Sequence, residues 1–377
     1  MRARRAAALA LAAFFLAIAG CSGSKGPQPT ELVDIPSPRP VRTLWSSGVG
    51  DAEHYVFSPA IVGDAIYATG RNGTVTKLDA QKGRTIWSVS SEQGLSGGIG
   101  ADRRTVAVAT QDGEVVALDA EKGAVRWRAR VSSEVLAAPT VGEGLVLVRS
   151  IDSRIFAFGE DDGKRRWVYQ RAPTSLMVRT PAGVVLEGDT AFAGFAGGKL
   201  AAIALSNGGL RWEATVSVPK GSTDLERISD VVGDPAVQGR EVCVASYQGR
   251  VACYEITSGR QTWARDLSSS TGVSLDARYA YVSDSRGAVH ALDRTNGRSI
   301  WKQDKLTLRQ PSLPVALGDV IAVGDFEGYV HFLARESGAF VARYSTGSGA
   351  IRAAPALLPS GGLLVETVEG GLYALAL

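Results

Sequence analysis

The sequence has 377 residues, of which 45% are hydrophobic, with 41 Lys and Arg against 38 Asp and Glu. Three of the basic residues lie in a predicted removable leader, so the mature chain carries 38 charges of each sign. This balance excludes the basic surface that nucleic acids or anionic lipids attract, and we expect no nucleic-acid partner.

The first twenty residues have the pattern of a secretory signal. Three arginines within the first five residues precede an apolar run over 6–18, which is too short for a spanning helix. The run ends in Ile18-Ala-Gly-Cys21, which resembles a bacterial lipobox with Ile18 in place of the commoner Leu. We predict a lipoprotein signal peptide over residues 1–20 and acylation (palmitate) of Cys21. The alternative is an ordinary signal peptide followed by an incidental cysteine.

Residues 21–42 form the next predicted unit, a lipidated cysteine followed by a proline-rich tether. Ser22 directly follows the cysteine, and a serine at this position resembles the default signal for sorting to the outer membrane. We therefore expect a lipid-anchored protein on the periplasmic face of the outer membrane. Five prolines and two glycines follow before residue 41. Such a composition favours an extended chain between the lipid and the folded domain.

A tryptophan repeat then runs to the C-terminus. The seven tryptophans recur at intervals of 38 to 51 residues, and in six copies a glycine stands four residues before the tryptophan. The positions are Trp45, Trp87, Trp127, Trp167, Trp212, Trp263 and Trp301. Each copy holds short apolar runs separated by glycine turns, as in Ala65–Leu78, which is typical of hairpins and of a propeller blade.

The copies predict an all-β, eight-bladed β-propeller of four-stranded antiparallel blades over residues 43–377. Ala342 occupies the eighth tryptophan position, and we expect Phe340 or Tyr344 to fill the space. The first strand, near Trp45, has no partner of its own, whereas the last copy stops before its tryptophan. We therefore expect the N-terminal strand to complete the last blade and close the ring.

Two consecutive copies carry insertions, over 170–183 and 217–235. Insertions in repeats commonly form loops on one face, often the binding face, and these two should emerge side by side. The first contains Leu176, Val178 and Arg179, and the second contains Arg227 and Asp230. An arginine among apolar anchors and acids is typical of a protein interface. The alternatives are that Leu176 or Val178 begins a buried strand, and that Arg227 and Asp230 form an ion pair that only shapes the loop.

Few residues indicate chemistry. None of the three histidines has metal-ligand spacing, and His290 and His331 occupy equivalent strand positions, which favours a structural role. No nucleophile elbow or phosphate loop is present. Cys243 and Cys253 flank a turn on neighbouring strands; a disulfide is possible in an oxidising compartment, but we expect two small apolar core residues. We predict no catalytic residue, no metal site and no cofactor.

The repeat resembles that of the pyrroloquinoline-quinone (PQQ)-type propellers. Within that group the whole chain is similar to the BamB family of lipoproteins, which belong to the outer-membrane β-barrel assembly (BAM) complex. The more specific matches are Arg227-Ile-Ser-Asp-Val231, Gly324-Asp-Phe-Glu-Gly-Tyr-Val-His331 and Ser175-Leu-Met-Val-Arg179. The resemblance implies a non-enzymatic scaffold that binds the periplasmic domains of BamA and assists nascent outer-membrane proteins.

The family's partner-binding positions fall on Leu176, Val178, Arg179 and Asp230, with Arg227 nearby. The family has Leu at position 178, and it has a second acid where this chain has Val232. That second change puts a charge-paired contact in doubt. The alternatives are a PQQ-dependent dehydrogenase-like quinoprotein, which would need an adjacent cysteine pair and a calcium site, and a generic ligand-binding propeller.

Overall fold

The computed structural model describes residues 26–172, 174 and 176–377, and these residues form 32 strands. The strands make eight four-stranded antiparallel sheets, which confirms the predicted all-β, eight-bladed propeller. Cys21 and the signal sequence lie outside the described residues. The described part of the chain contains no helix with the length and apolarity needed to cross a membrane.

We number the blades in chain order and give their strands from the innermost outwards. Blade 1 contains β2 (Ala60–Val62), β3 (Ala65–Thr69), β4 (Thr74–Asp79) and β5 (Thr85–Ser90), and blade 2 contains β6 (Leu95–Ala101), β7 (Thr105–Thr110), β8 (Glu114–Asp119) and β9 (Val125–Arg130). Blade 3 contains β10 (Thr140–Gly142), β11 (Leu145–Ser150), β12 (Arg154–Gly159) and β13 (Arg165–Gln170), and blade 4 contains β14 (Val184–Glu187), β15 (Thr190–Phe195), β16 (Lys199–Ala204) and β17 (Leu210–Thr215). Blade 5 contains β18 (Val231–Gln238), β19 (Glu241–Ser246), β20 (Arg250–Glu255) and β21 (Gln261–Asp266), and blade 6 contains β22 (Ser274–Leu275), β23 (Tyr279–Ser283), β24 (Val289–Asp293) and β25 (Ser299–Gln303). Blade 7 contains β26 (Val315–Leu317), β27 (Val320–Gly324), β28 (Tyr329–Ala334) and β29 (Phe340–Ser345), and blade 8 contains β30 (Ala356–Leu357), β31 (Leu363–Glu366), β32 (Gly371–Ala376) and β1 (Arg42–Gly48).

The ring closes as predicted, because the first strand completes the last blade. Strand β1 pairs antiparallel with β32, from Arg42 opposite Ala376 to Gly48 opposite Gly371. The core consists of eight apolar clusters, one at each junction between neighbouring blades. Closure therefore buries both faces of every blade, including those of the first and last.

The tryptophan repeat docks each blade onto the next. Trp127 in blade 2 donates its indole N–H to the carbonyl of Glu160 in blade 3 at 2.7 Å. Its ring covers Gly163, where a Cβ would lie 2.6 Å from the indole and where φ is +65°. Bonds of the same kind link Trp45 to Ala80, Trp87 to Ala120, Trp167 to Leu205, Trp212 to Ile256, Trp263 to Arg294 and Trp301 to Arg335. The recurring glycine is thus the partner of the preceding blade's tryptophan.

The same docking explains Ala342. In blade 8 the third and fourth strands are the two ends of the chain, so no turn with a glycine stands ready to receive a tryptophan from blade 7. Ala342 is fully buried, and Tyr344 packs in its cluster as expected, together with Val41 and Tyr373. The expectation for Phe340 is wrong, because it packs at the other junction, between blades 6 and 7.

The two internal cysteines form a disulfide, which corrects the expectation of unbonded core residues. Cys243 and Cys253 lie directly opposite each other on β19 and β20, with their Cα atoms 4.0 Å apart. Residues in register on adjacent strands point their side chains to the same face. Both are fully buried in the cluster between blades 5 and 6.

Candidate functional site

The two insertions lie at the same end of adjacent blades, as predicted. Residues 171–183 connect β13 to β14, and residues 216–230 connect β17 to β18. Each joins the outermost strand of one blade to the innermost strand of the next. All such connections emerge at one end of an antiparallel propeller, together with the hairpins between second and third strands. We call this end the upper rim and the opposite end the lower rim.

Asp230 joins the two insertions. Its side chain is only 4% exposed. One carboxylate oxygen accepts the backbone N–H of Val178 in the first insertion at 2.7 Å, and the other accepts the N–H of Gly197 in the β15–β16 hairpin at 2.9 Å. The carboxylate is therefore bound to backbone amides, and the alternative of an ion pair with Arg227 is wrong.

The first insertion exposes an apolar side chain next to an arginine. Leu176 is 45% exposed, and neither Leu176 nor Val178 belongs to a strand, because β14 begins only at Val184. Arg179 forms an ion pair with Glu134 at 2.7 Å; the Arg179 side chain is 57% exposed, whereas that of Glu134 is 9% exposed. Tyr55 donates to the other Glu134 oxygen at 3.2 Å. The Tyr55–Glu134 and Glu134–Arg179 contacts hold the Arg179 guanidinium in place and leave much of it accessible to solvent.

The second insertion is closed at its base and capped by its own acid. The Ser217 hydroxyl donates to the carbonyl of Ser229 at 3.0 Å. Glu226 accepts the N–H groups of Ser222 and Thr223, and the Thr223 hydroxyl accepts the N–H of Glu226, as in a helix capping box. These backbone hydrogen bonds lower the pKa of Glu226. The cap closes a single turn at the tip of the insertion.

The second insertion projects apolar and basic groups into solvent. Val218 is 64% exposed and Leu225 is 68% exposed, and Arg227 is exposed beside them in the sequence. We refer to five of the exposed side chains in the two insertions, three apolar and two basic, as the insertion patch: Leu176, Arg179, Val218, Leu225 and Arg227. Exposed apolar side chains accompanied by arginines are typical of an interface centre.

The replacement of the family's second acid is matched by another acid two residues later. Val232 is 1% exposed and packs in β18, where a carboxylate would lack solvent. Asp234 instead faces the channel and accepts the N–H of Gly183 at 2.6 Å. A carboxylate at 234 thus ties the end of the first insertion to β18, as Asp230 does for its middle.

A small cavity lies behind the first insertion. Its volume is about 180 Å³, and its wall includes Met177, Val178, Arg149 and Asp230. Arg149 donates to the carbonyl of Ala182 at 2.8 Å. Desolvation lowers the pKa of Arg149 to about 10, against the opposing effect of nearby acids. The lining groups named here support the first insertion from behind.

Two carboxylates that line the central channel are held by hydrogen bonds within the protein. A cavity of about 560 Å³ in the channel is lined by Asp234, Asp284, Arg286 and Arg352 among others. The carboxylate of Asp284 is hydrogen-bonded to His290 at 2.8 Å and accepts the backbone N–H groups of Arg286 and Ala288. No group of three or more His, Cys, Asp or Glu residues within the described ranges could hold a metal ion. The disulfide lies inside a blade junction, away from the channel.

The two equivalent histidines are structural. The Nε2 atom of His331 donates to the carboxylate of Asp325, six residues earlier, at 2.9 Å, and His290 pairs with Asp284 at the same spacing. Burial lowers the pKa of His331, against the opposing effect of Asp325. Both pairs brace hairpins at the upper rim.

Sequence reasoning missed the supports and part of the patch. Glu134 and Tyr55 lie in connections of ordinary length, and nothing in the sequence links either residue to Arg179. Val218 and Leu225 had a visible signal, since each is an isolated apolar residue within a polar insertion. The Asp230 contact depends on a hairpin 33 residues away, which no local pattern reveals.

Comparisons with known proteins agree on one family. A family model described as outer membrane protein assembly factor BamB matches residues 71–303. The outer membrane protein assembly factor BamB of Bordetella pertussis is 43% identical over 362 residues, covering 95% of this chain and 93% of that protein.

Solved structures give the same relation. The crystal structure of BamB from Moraxella catarrhalis matches with a TM-score of 0.83 and 27% identity, covering 89% of this chain and all of that one. The quinohemoprotein alcohol dehydrogenase of Comamonas testosteroni matches with a TM-score of 0.69 and 13% identity over 89% of this chain and 76% of that one. The second likeness is one of fold alone.

Proposed function

Because the chain belongs to the BamB family of outer membrane protein assembly factors, we propose that it is a non-enzymatic scaffold of the BAM complex at the outer membrane. In this role it assists the assembly and insertion of β-barrel proteins. The observation that carries the proposal is near-full-length similarity to assembly factors, joined with an upper rim that exposes an interface-like patch and no catalytic constellation among the described residues.

The alternative function, that of a PQQ-dependent dehydrogenase-like quinoprotein, is not favoured. Quinohemoprotein dehydrogenases share only the fold with this chain, at 13% identity. The carboxylates that line the channel accept hydrogen bonds from the protein itself, and the disulfide joins two strands rather than adjacent residues. These features leave the propeller as a rigid support for its loops.

The protein is held to the membrane, in this proposal, by acyl chains on Cys21. The lipobox pattern and Ser22 support lipidation and outer-membrane sorting, with the propeller on the periplasmic face. Each buried CH₂ contributes about 0.8 kcal/mol to membrane binding, so several acyl chains make attachment durable. Lipidation of a cysteine also removes it from disulfide exchange with Cys243 and Cys253.

The insertion patch is the proposed contact with the periplasmic domains of BamA. Leu176 and Leu225 supply apolar area, and Arg179 supplies a charge that Glu134 has already oriented. Val178 and Asp230 then act by positioning, since Asp230 binds the Val178 amide from a buried site. An oriented side chain loses less entropy on binding, which favours affinity.

Nascent outer-membrane proteins are the proposed second partner. The outermost strand of each blade is an edge strand of its sheet. Several of these edge strands expose an apolar side chain, for example Ile86, Leu210 and Ile300. Unfolded β-strands can add to such edges through backbone hydrogen bonds. This contact is independent of the insertion patch.

The test is a binding measurement with the periplasmic domains of BamA. We predict that Leu176→Ala with Arg179→Ala weakens binding at least about tenfold, since two central interface residues commonly cost more than 1 kcal/mol each. Thermal unfolding should change little, because both side chains are substantially exposed.

A matched control is available on the outer strand of blade 4. Leu210 is 51% exposed, and Arg211 forms a surface ion pair with Asp189, so Leu210→Ala with Arg211→Ala removes the same groups elsewhere. Equal affinities of the two double variants would remove the first insertion from the interface.

A further inference from the structure

We propose that residues 26–41 are a docked strap that fixes where the lipid-bearing N-terminus leaves the propeller, so that the upper rim beside blades 6 and 7 faces the bilayer. The inference rests on the proposed acylation of Cys21. For the described part of the segment, it adds contacts with the propeller to the expectation of an extended tether. The partner it assigns to this part of the rim is a lipid surface.

The lower end of the strap is held beside blade 7. Arg39 donates its backbone N–H to the carbonyl of Val341 in β29 at 2.8 Å. Its guanidinium binds Asp319, in the turn between β26 and β27, at 3.0 Å. Val41 then packs into the cluster between blades 7 and 8 before the chain enters β1. The strap therefore begins at the lower rim and runs back along the outer edge of β29.

The middle of the strap is held by one arginine of that strand. Arg343 donates to the carbonyl of Val33 at 2.9 Å and to the imidazole of His331 at 3.3 Å. His331 is fully buried. The arginine that binds the strap is thus itself fixed by the interior of blade 7.

The upper end of the strap is held at the connection between blades 6 and 7. Thr30 donates both its backbone N–H and its hydroxyl to the carbonyl of Thr307, at 3.0 and 3.1 Å. Arg309 donates to the carbonyl of Thr30 at 3.2 Å. Arg309 is only 3% exposed, and its guanidinium is bound by Asp325 and Glu327. A buried, doubly paired arginine is a rigid anchor for a backbone carbonyl.

These contacts set the geometry of attachment. Whatever path residues 22–25 take, they span at most about 18 Å between Cys21 and Gly26. The chain reaches Thr30 at the upper rim, so an acylated Cys21 holds that rim close to the lipid. The lower rim lies about 20 Å farther away, the length of a six-residue strand. With the strap released, residues 22–41 could extend about 70 Å, and either rim could approach the bilayer.

The experiment uses the full-length acylated protein in vesicles that contain nitroxide-labelled phospholipid. A fluorophore is attached through Lys305→Cys at the upper rim or Ser337→Cys at the lower rim, both exposed positions. We expect several-fold stronger quenching at position 305 than at 337. The release variant combines Thr30→Pro, Arg39→Ala and Arg343→Gln, and it should make quenching at the two positions equal.

The matched control makes the same changes at exposed neighbours. The control carries Gln28→Pro, Arg42→Ala and Arg298→Gln. Among the described residues, the side chains of Arg42 and Arg298 and the backbone N–H of Gln28 have no bonded partner in the propeller. Its quenching should match that of the parent, and circular dichroism checks that both variants fold.

Each outcome has one meaning. Equal quenching at both positions in the parent, on vesicles that carry the protein by flotation, overturns the strap proposal and leaves lipidation intact. Loss of the difference in the control variant also overturns it. A chain that does not float with vesicles overturns lipidation and, with it, the orientation proposed here.

Discussion

Asp230→Asn tests whether Asp230 acts on the interface through the first insertion. The substitution keeps the shape of the side chain but replaces one acceptor oxygen by an NH₂ group. That group must face the N–H of Val178 or the N–H of Gly197, both of which now bind the carboxylate. One buried amide is left without an acceptor, and the remaining bond loses its charge.

The magnitude follows from the two bonds. An unsatisfied buried donor costs about 1–3 kcal/mol, and a neutral acceptor is weaker than a charged one by about 1 kcal/mol. We expect a loss of about 2–4 kcal/mol. For a propeller of this size, unfolding entropy scales to about 0.7 kcal/mol per kelvin, so Tm should fall by about 3–6 °C. Asp224→Asn is the control, because Asp224 is an exposed acid of the same insertion.

The decisive assay is hydrogen exchange at single amides. Asp230→Asn should reduce protection at Val178 and Gly197, whereas Asp224→Asn should not. Binding to the periplasmic domains of BamA should weaken, and a cycle with Leu176→Ala should show a coupling of about 1 kcal/mol, because both changes act on one loop. Normal Tm and normal protection in Asp230→Asn, together with weakened binding, would refute the reasoning, since the carboxylate would then contact the partner directly.

Two further predictions concern the blades. Gly163→Ala should cost about 2–4 kcal/mol, because its Cβ would overlap Trp127, whereas Gly144→Ala, at a similar positive φ but with free space, should cost about 1 kcal/mol; equal Tm shifts would exclude the docking role of the glycine. Glu366 is 4% exposed, has no hydrogen-bond partner among the described residues, and has a pKa that burial raises well above 4.5. Above its ordinary pKa the unfolded state releases this proton while the folded state retains it, so stability falls as pH rises. Glu366→Gln should therefore raise Tm more at about pH 8 than at about pH 5, and a pH-independent gain would contradict the shift.

The architecture was readable from sequence because the repeat encodes a contact. Trp127 and Gly163 stand 36 residues apart, yet each copy repeats both partners, so the period and the closure could be predicted. Ala342 was the one irregular copy, and its reason is topological: blade 8 joins the two chain ends and lacks the turn. A repeat pattern shows that a position differs, but only the assembled ring shows which neighbour is missing.

The site was less predictable, because its precise geometry depends on contacts between blades. The sequence placed Leu176 and Arg179 in the correct insertion, since insertion length is visible. It could not show that Asp230 is buried or that Glu134 orients Arg179, because those partners lie in other blades. Cys243 and Cys253 gave the same lesson, since register rather than spacing decides whether two cysteines meet.

The strap and the insertion patch together constrain how one rim could serve two partners. The patch lies on the connections that leave blades 3 and 4, and the strap ends on the connection between blades 6 and 7, two blades further around the same rim. If acyl chains hold the strap side of the rim near the bilayer, the patch also stays at the membrane-facing end of the propeller. A BamA domain bound there would sit between the propeller and the membrane or beside it. Release of the strap should therefore leave binding to the isolated BamA domains unchanged and weaken association only when both proteins share one membrane.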